Sequence, residues 1–116
     1  AKFSAHEHRF GIHAGEIETS MMLALQPDQV DMAKAQNFHS TSQDRSERFS
    51  ILGDGRSAKL GWQMQDYNPH GAVGNAAAAT PEKGRALLGA MGRSLAQLLA
   101  EIDQLPADTL RDTTAC

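Results

Sequence analysis

Cysteine is nearly absent from this chain: there is one, Cys116, at the last position. A lone thiol excludes an internal disulfide framework and fits a reducing compartment, so a cytoplasmic protein is expected. Large aromatics are also few (four Phe, one Trp, one Tyr), and much of the 41% hydrophobic fraction is alanine, which predicts a lean core. An excess of basic charge is missing. Eleven Lys and Arg stand against fourteen Asp and Glu, for a net charge of −3. That balance provides no broad cationic surface, so neither nucleic acid nor anionic lipid is an expected partner. No apolar run approaches the roughly eighteen residues of a membrane span, and no signal peptide is recognisable, so no contact with a membrane is expected.

The 116 residues that are present make one domain at most, large enough to bury a core. In "HAGEIETSMMLALQP", Ile17, Met21, Ala24 and Leu25 recur at helical spacing and Pro27 closes the run. The pattern predicts a short helix over about 15–25, with Glu16 and Glu18 at its positive end. "PDQVDMAKA" reads as a turn with a short helical or extended piece. Residues 37–58 are polar and rich in turn formers, which predicts a long surface connection. Trp62, Met64 and Tyr67 suggest a short extended or irregular segment, within a looped region that spans 37–79 in all. The clearest element follows. Thr80, Pro81 and Glu82 form a helix start, and Leu88, Met91, Leu95, Leu98, Ile102 and Leu105 repeat at three and four residues up to Pro106. A helix over 81–104 is predicted, with a frayed tail over 106–116. Gly84, Gly89 and Gly92 weaken it by up to about 1 kcal/mol each, so tertiary packing must hold it, and close backbone approach is a use for them.

The stretch "HEHRFGIHAGEIETSMMLAL", residues 6–25, concentrates the chemistry. His6 and His8 could chelate one ion if the segment were an extended strand, although no HExxH or CxxC completes a metal site elsewhere. His13, just before a helix N-terminus, faces a partial positive charge that favours the neutral, proton-accepting ring. Glu16 or Glu18 could orient it, and the N–H groups of Gly15 and Glu16 could meet an oxyanion. Equally, spacing alone allows His13 to be only the lead-in to a buried helix, with both glutamates facing water.

"HAGEIETSMMLALQPDQVDM", followed by "GAVGNAAAATPEKGRALL", resembles the creatininase (creatinine amidohydrolase) family, in which these two motifs occur in this order. The resemblance runs from about His13 to the end of the last helix. It implies a hydrolase that opens a C–N amide bond with a metal-bound hydroxide, using a divalent pair (Zn, Mn or Fe). It implies an α/β fold too: this chain as the C-terminal part of a single three-layer domain, a mostly parallel sheet flanked by helices, assembled as a hexamer-like homo-oligomer. The family's metal-ligand motifs are not found here, so those ligands are expected in a missing N-terminal half, and the fragment alone is expected to be inactive. On the same resemblance His13 matches the histidine that shuttles a proton to the leaving nitrogen, and Glu18 matches the glutamate of "ETS" as an orienting group. At Ile12 and Arg9 creatininase proper carries glutamate and tryptophan, which points to an amide other than creatinine as the small-molecule substrate. The rival reading is a non-catalytic assembly module that uses the 81–104 helix.

Overall fold

A computed structural model describes residues 3–115; Cys116, expected to be unpaired, lies outside the described residues. Among the described residues five α-helices carry the fold. They are α1 (Ala5–Phe10), α2 (Glu16–Leu25), α3 (Thr41–Arg48), α4 (Met64–Tyr67) and α5 (Pro81–Asp103), and two-residue strands β1 (Asn37–Phe38) and β2 (Gly74–Asn75) pair antiparallel. Short 3₁₀ turns at Pro27–Gln29 and Met32–Lys34 occupy the "PDQVDMAKA" stretch.

The two long helices begin and end close to where their patterns place them. α5 starts on Thr80, whose hydroxyl accepts the Lys83 N–H at 3.2 Å, with Pro81 at the first helical position. Thr80→Ala should therefore lower the unfolding free energy by about 1 kcal/mol in urea denaturation. An unchanged midpoint would show that the cap is idle.

Three helices arise where none was expected. α1 is capped by Ser4, whose hydroxyl accepts the Glu7 N–H at 3.0 Å, although the segment has no apolar period. α3 lies inside the supposed surface connection over 37–58, and Ser40 caps it by accepting from the Ser42 N–H. At α4 a reciprocal capping box between Gln63 and Asp66 closes a single turn, so Met64 and Tyr67 are helical rather than extended. The mostly parallel sheet implied by the resemblance is not formed by the described residues, which make one antiparallel pair and an isolated His13–Val73 bridge. Strand-forming residues are too scattered in this chain, as Ile12, Val30, Ile51 and Val73, to build more.

The core is as lean as the composition implies. Val73 and Ser20 are the largest fully buried side chains, and Tyr67, Ala72, Ala76 and Ala79 complete the buried apolar set. Packing is concentrated where α2 meets the first turns of α5. A Cβ built at Gly84 would fall on the Ser20 carbonyl, so only glycine lets the two backbones approach this closely. Gly92 has open space around it and Gly89 meets only the Arg93 side chain, so close approach is the role of Gly84 alone. Beyond Leu88 the helix runs free. Met91, Leu95, Leu98, Ile102 and Leu105 are all at least half exposed. The radius of gyration is 18.8 Å, against about 13 Å for a compact chain of this length, because this arm projects. Among the described residues no helix is long and apolar enough to cross a membrane.

Candidate functional site

The turn from Gly11 to Glu16 is built around a buried carboxylate. Glu7, 3% exposed, reaches from α1 and accepts the N–H of Glu16 at 2.7 Å and that of Asn75 at 3.0 Å. Gly11, Gly15 and Gly74 surround its Oε1 so closely that a Cβ on any of them would collide with it. Gly74 also sits at φ +120°, a conformation that only glycine adopts at low cost. One side chain thus joins the start of α2 to β2 by charge-assisted bonds, one of them to the Glu16 N–H, which as the first of α2 has no partner within the helix. This residue is not apparent from sequence pattern, because its partners are backbone groups 9 and 68 positions away.

Between those anchors lies His13. Its carbonyl accepts the N–H of the fully buried Val73 at 2.9 Å, which pins the backbone while the side chain stays 52% exposed. Ala14, the next residue, has φ +53°, a left-handed conformation that costs a non-glycine residue on the order of 1 kcal/mol. α2 supplies what holds it there. The Glu18 carboxylate accepts the Ala14 N–H at 2.5 Å, and the Thr19 hydroxyl donates to the Ala14 carbonyl at 3.2 Å. Glu18 Oε2 also lies 3.6 Å from His13 Nδ1, within ion-pair reach but beyond hydrogen-bond length. Ser20 completes the motif, because its buried hydroxyl accepts the Thr80 N–H at 3.2 Å and ties α2 to the start of α5. The three residues of "ETS" therefore play separate parts. Glu18 and Thr19 clamp the strained peptide after the histidine, and Ser20 docks the helix that carries them.

The two glutamates of α2 part company. Glu18 faces His13, whereas Glu16 is 8% exposed and pairs with Lys83 Nζ at 2.6 Å, which also donates to the Ala78 carbonyl at 2.9 Å. Glu16 thus locks α2 to α5 and does not orient the histidine. Its N–H is bound by Glu7 and is not free for an oxyanion. The His6–His8 chelate fails on geometry as well, because the segment is α1, and residues two apart on a helix point about 200° apart. His6 Nε2 instead contacts Gln43 Oε1 at 2.9 Å.

Among the described residues no three His, Cys, Asp or Glu side chains converge as a metal-binding group. His13 and Glu18 offer two donors, where a catalytic zinc needs about three protein ligands. This chain's residues therefore do not fit a divalent pair, and such ions would need ligands from elsewhere.

Next to His13, through Ile12, opens a cleft of about 360 Å³. Arg9, Arg45 and Lys59 line it together with Trp62 and Tyr67, whose rings meet edge to face with centroids 4.8 Å apart. Its rim is shaped by the 53–57 loop, where Asp54 accepts from the Ser57 hydroxyl and from the Arg56 and Ser57 N–H groups. Those bonds lower the Asp54 carboxyl pKa to about 2.

The crystal structure of a "putative creatinine amidohydrolase" from Bacteroides fragilis is similar, with a TM-score of 0.65 and 25% identity, over 90% of this chain and 41% of that one. This chain thus spans less than half the length of that relative. No curated protein matches the sequence. The family model for creatininase, creatinine amidohydrolase, matches residues 1–99, a span that contains α1, the His13 turn, α2 and most of α5. By that match the chain belongs to the creatininase family of amidohydrolases.

Proposed function

We propose that this chain furnishes the proton-handling part of an amidohydrolase that cleaves a C–N amide bond in a small molecule. His13 is the proton carrier and Glu18 its orienting carboxylate. The observation that supports this reading is a half-exposed imidazole held beside a carboxylate by a strained, doubly clamped peptide, in a family that hydrolyses amides.

The chemistry follows from what an amide requires. Attack of water on the carbonyl gives a tetrahedral centre, and its collapse expels a nitrogen that is too basic to leave as an anion. His13 takes the proton from the attacking water and delivers it to that nitrogen as the C–N bond breaks, so a carboxylic acid and an amine are released. Glu18, facing Nδ1, favours the tautomer that presents the other ring nitrogen to substrate and stabilises the imidazolium between the two transfers. The divalent pair implied by the family would activate the water, held by ligands outside this chain. The whole domain would be the three-layer α/β fold, in a hexamer-like assembly.

A panel of cyclic and linear amides, creatinine included, tests this when the natural protein is supplied with Zn, Mn or Fe and amine release is followed. Turnover of at least one member is expected, with creatinine a poor substrate. A panel without any turnover, in protein shown to hold divalent ions, would overturn the reading. The exposed apolar seam from Met91 to Ile102 favours a second role for α5, as an assembly surface. Protein that binds no divalent ion after supplementation would leave that role as the chain's function.

A further inference from the structure

The cleft beside His13 carries a charge that the hydrolytic reading does not use. Among the described residues three cationic side chains, Arg9, Arg45 and Lys59, line it and no Asp or Glu does, in a chain of net charge −3. Among the described residues none of the three forms an ion pair. Both guanidiniums are held in place without being satisfied. Arg45 lies over the Tyr67 ring, 4.9 Å from its centroid, and spends one N–H on Thr41 Oγ1 at 3.0 Å. Arg9 lies over Phe10, also at 4.9 Å, and gives one N–H to the Gly53 carbonyl at 3.3 Å. A guanidinium carries five N–H donors, so each retains most of its capacity and a free edge suited to a carboxylate. Asp54, in the loop that shapes the rim, already serves its own loop.

We propose that this cleft binds the anionic end of the substrate, so that the amide hydrolysed by this protein carries a carboxylate and a flat apolar group. The guanidiniums of Arg9 and Arg45 take the carboxylate. Trp62 and Tyr67 supply an aromatic wall for the apolar part, and Ile12 joins the cleft to the turn that bears His13. A volume of about 360 Å³ falls within the range of small-molecule sites. The inference rests on the amidohydrolase reading for what happens to the ligand, but binding itself requires neither hydrolysis nor metal.

That independence sets the experiment. The full chain is titrated with hippurate and, separately, with hippuramide, which keeps the same benzoylglycine skeleton but has no charge. The signal is the fluorescence of Trp62, the sole tryptophan of the 116 residues and a wall of the cleft. Hippurate should bind at least tenfold more tightly than hippuramide. In the double variant Arg9→Gln, Arg45→Gln that preference should shrink to less than threefold, with an unchanged far-UV circular dichroism spectrum. Equal affinities, no response to either compound, or a preference that survives in the folded double variant would overturn the proposal. The wild-type comparison alone decides the matter if the double variant does not fold. Amide turnover without charge preference would sink this inference and spare the proposed activity; charge-selective binding without turnover would do the reverse.

Discussion

Glu7→Ala should cost about 3–5 kcal/mol of folding stability, the largest effect of any single substitution considered for this chain. The carboxylate is 3% exposed and is the acceptor for the buried N–H of Glu16 and the part-buried N–H of Asn75, so its removal takes this acceptor from both. Hydrogen bonds to a charged group contribute roughly 1.5–3 kcal/mol each, and water entering the space left behind would recover part of the loss. Gly11, Gly15 and Gly74 are packed against that carboxylate and cannot close over the gap without moving backbone. Urea denaturation reads the global loss. Amide exchange at Val73, bonded to the His13 carbonyl, reads the local one and should accelerate in parallel. Glu7→Gln keeps one carbonyl acceptor and should lose about half as much. A Glu7→Ala variant within about 1 kcal/mol of wild type would mean that the His13 turn is organised by something else.

How much of this was legible in the sequence depends on the range of the interactions. α5 is readable because its signals are local: Thr80, Pro81 and Glu82 at the start and apolar residues every three or four positions. It is found at Pro81–Asp103. α2 is likewise close to its expected span, at Glu16–Leu25. By contrast α3, with the sequence TSQDRSER, has no apolar stripe for periodicity to detect, and only the cap at Ser40 announces it. α1 is six residues long, and its one local signal is Ser4 three positions before Glu7. The pairing of His13 with Glu18 could be anticipated because they stand five positions apart across a helix start. The parting of Glu16 towards Lys83 could not, because it requires knowing that α5 docks on α2 through Gly84. Glu7 is hidden for the same reason, its partners being distant backbone amides. The apolar seam of α5 was legible as a pattern, but its half-exposed state at Leu95 and Leu98 was not, because spacing alone does not tell a packed stripe from a projecting one.

His13 carries the functional account, and its removal should have the largest kinetic effect. General acid–base groups typically contribute 10²- to 10⁴-fold, so His13→Ala should lower kcat/KM for amide hydrolysis by about that factor. The loss should appear in kcat, because in the proposed mechanism the imidazole acts on the transferring proton and not on ground-state binding. Glu18→Gln should show a smaller loss, since the amide can still accept the Ala14 N–H but no longer stabilises an imidazolium. The stability of the His13 variant should stay near wild type, because the side chain is 52% exposed and the turn is held through its backbone. The most direct measurement is therefore kcat/KM of His13→Ala against wild type, in natural protein with matched divalent-ion content and on any amide the wild type hydrolyses. A fall of at least about a hundredfold with unchanged unfolding is the predicted result. Activity retained within about tenfold would contradict the account and leave the imidazole beside Glu18 without a part in the reaction.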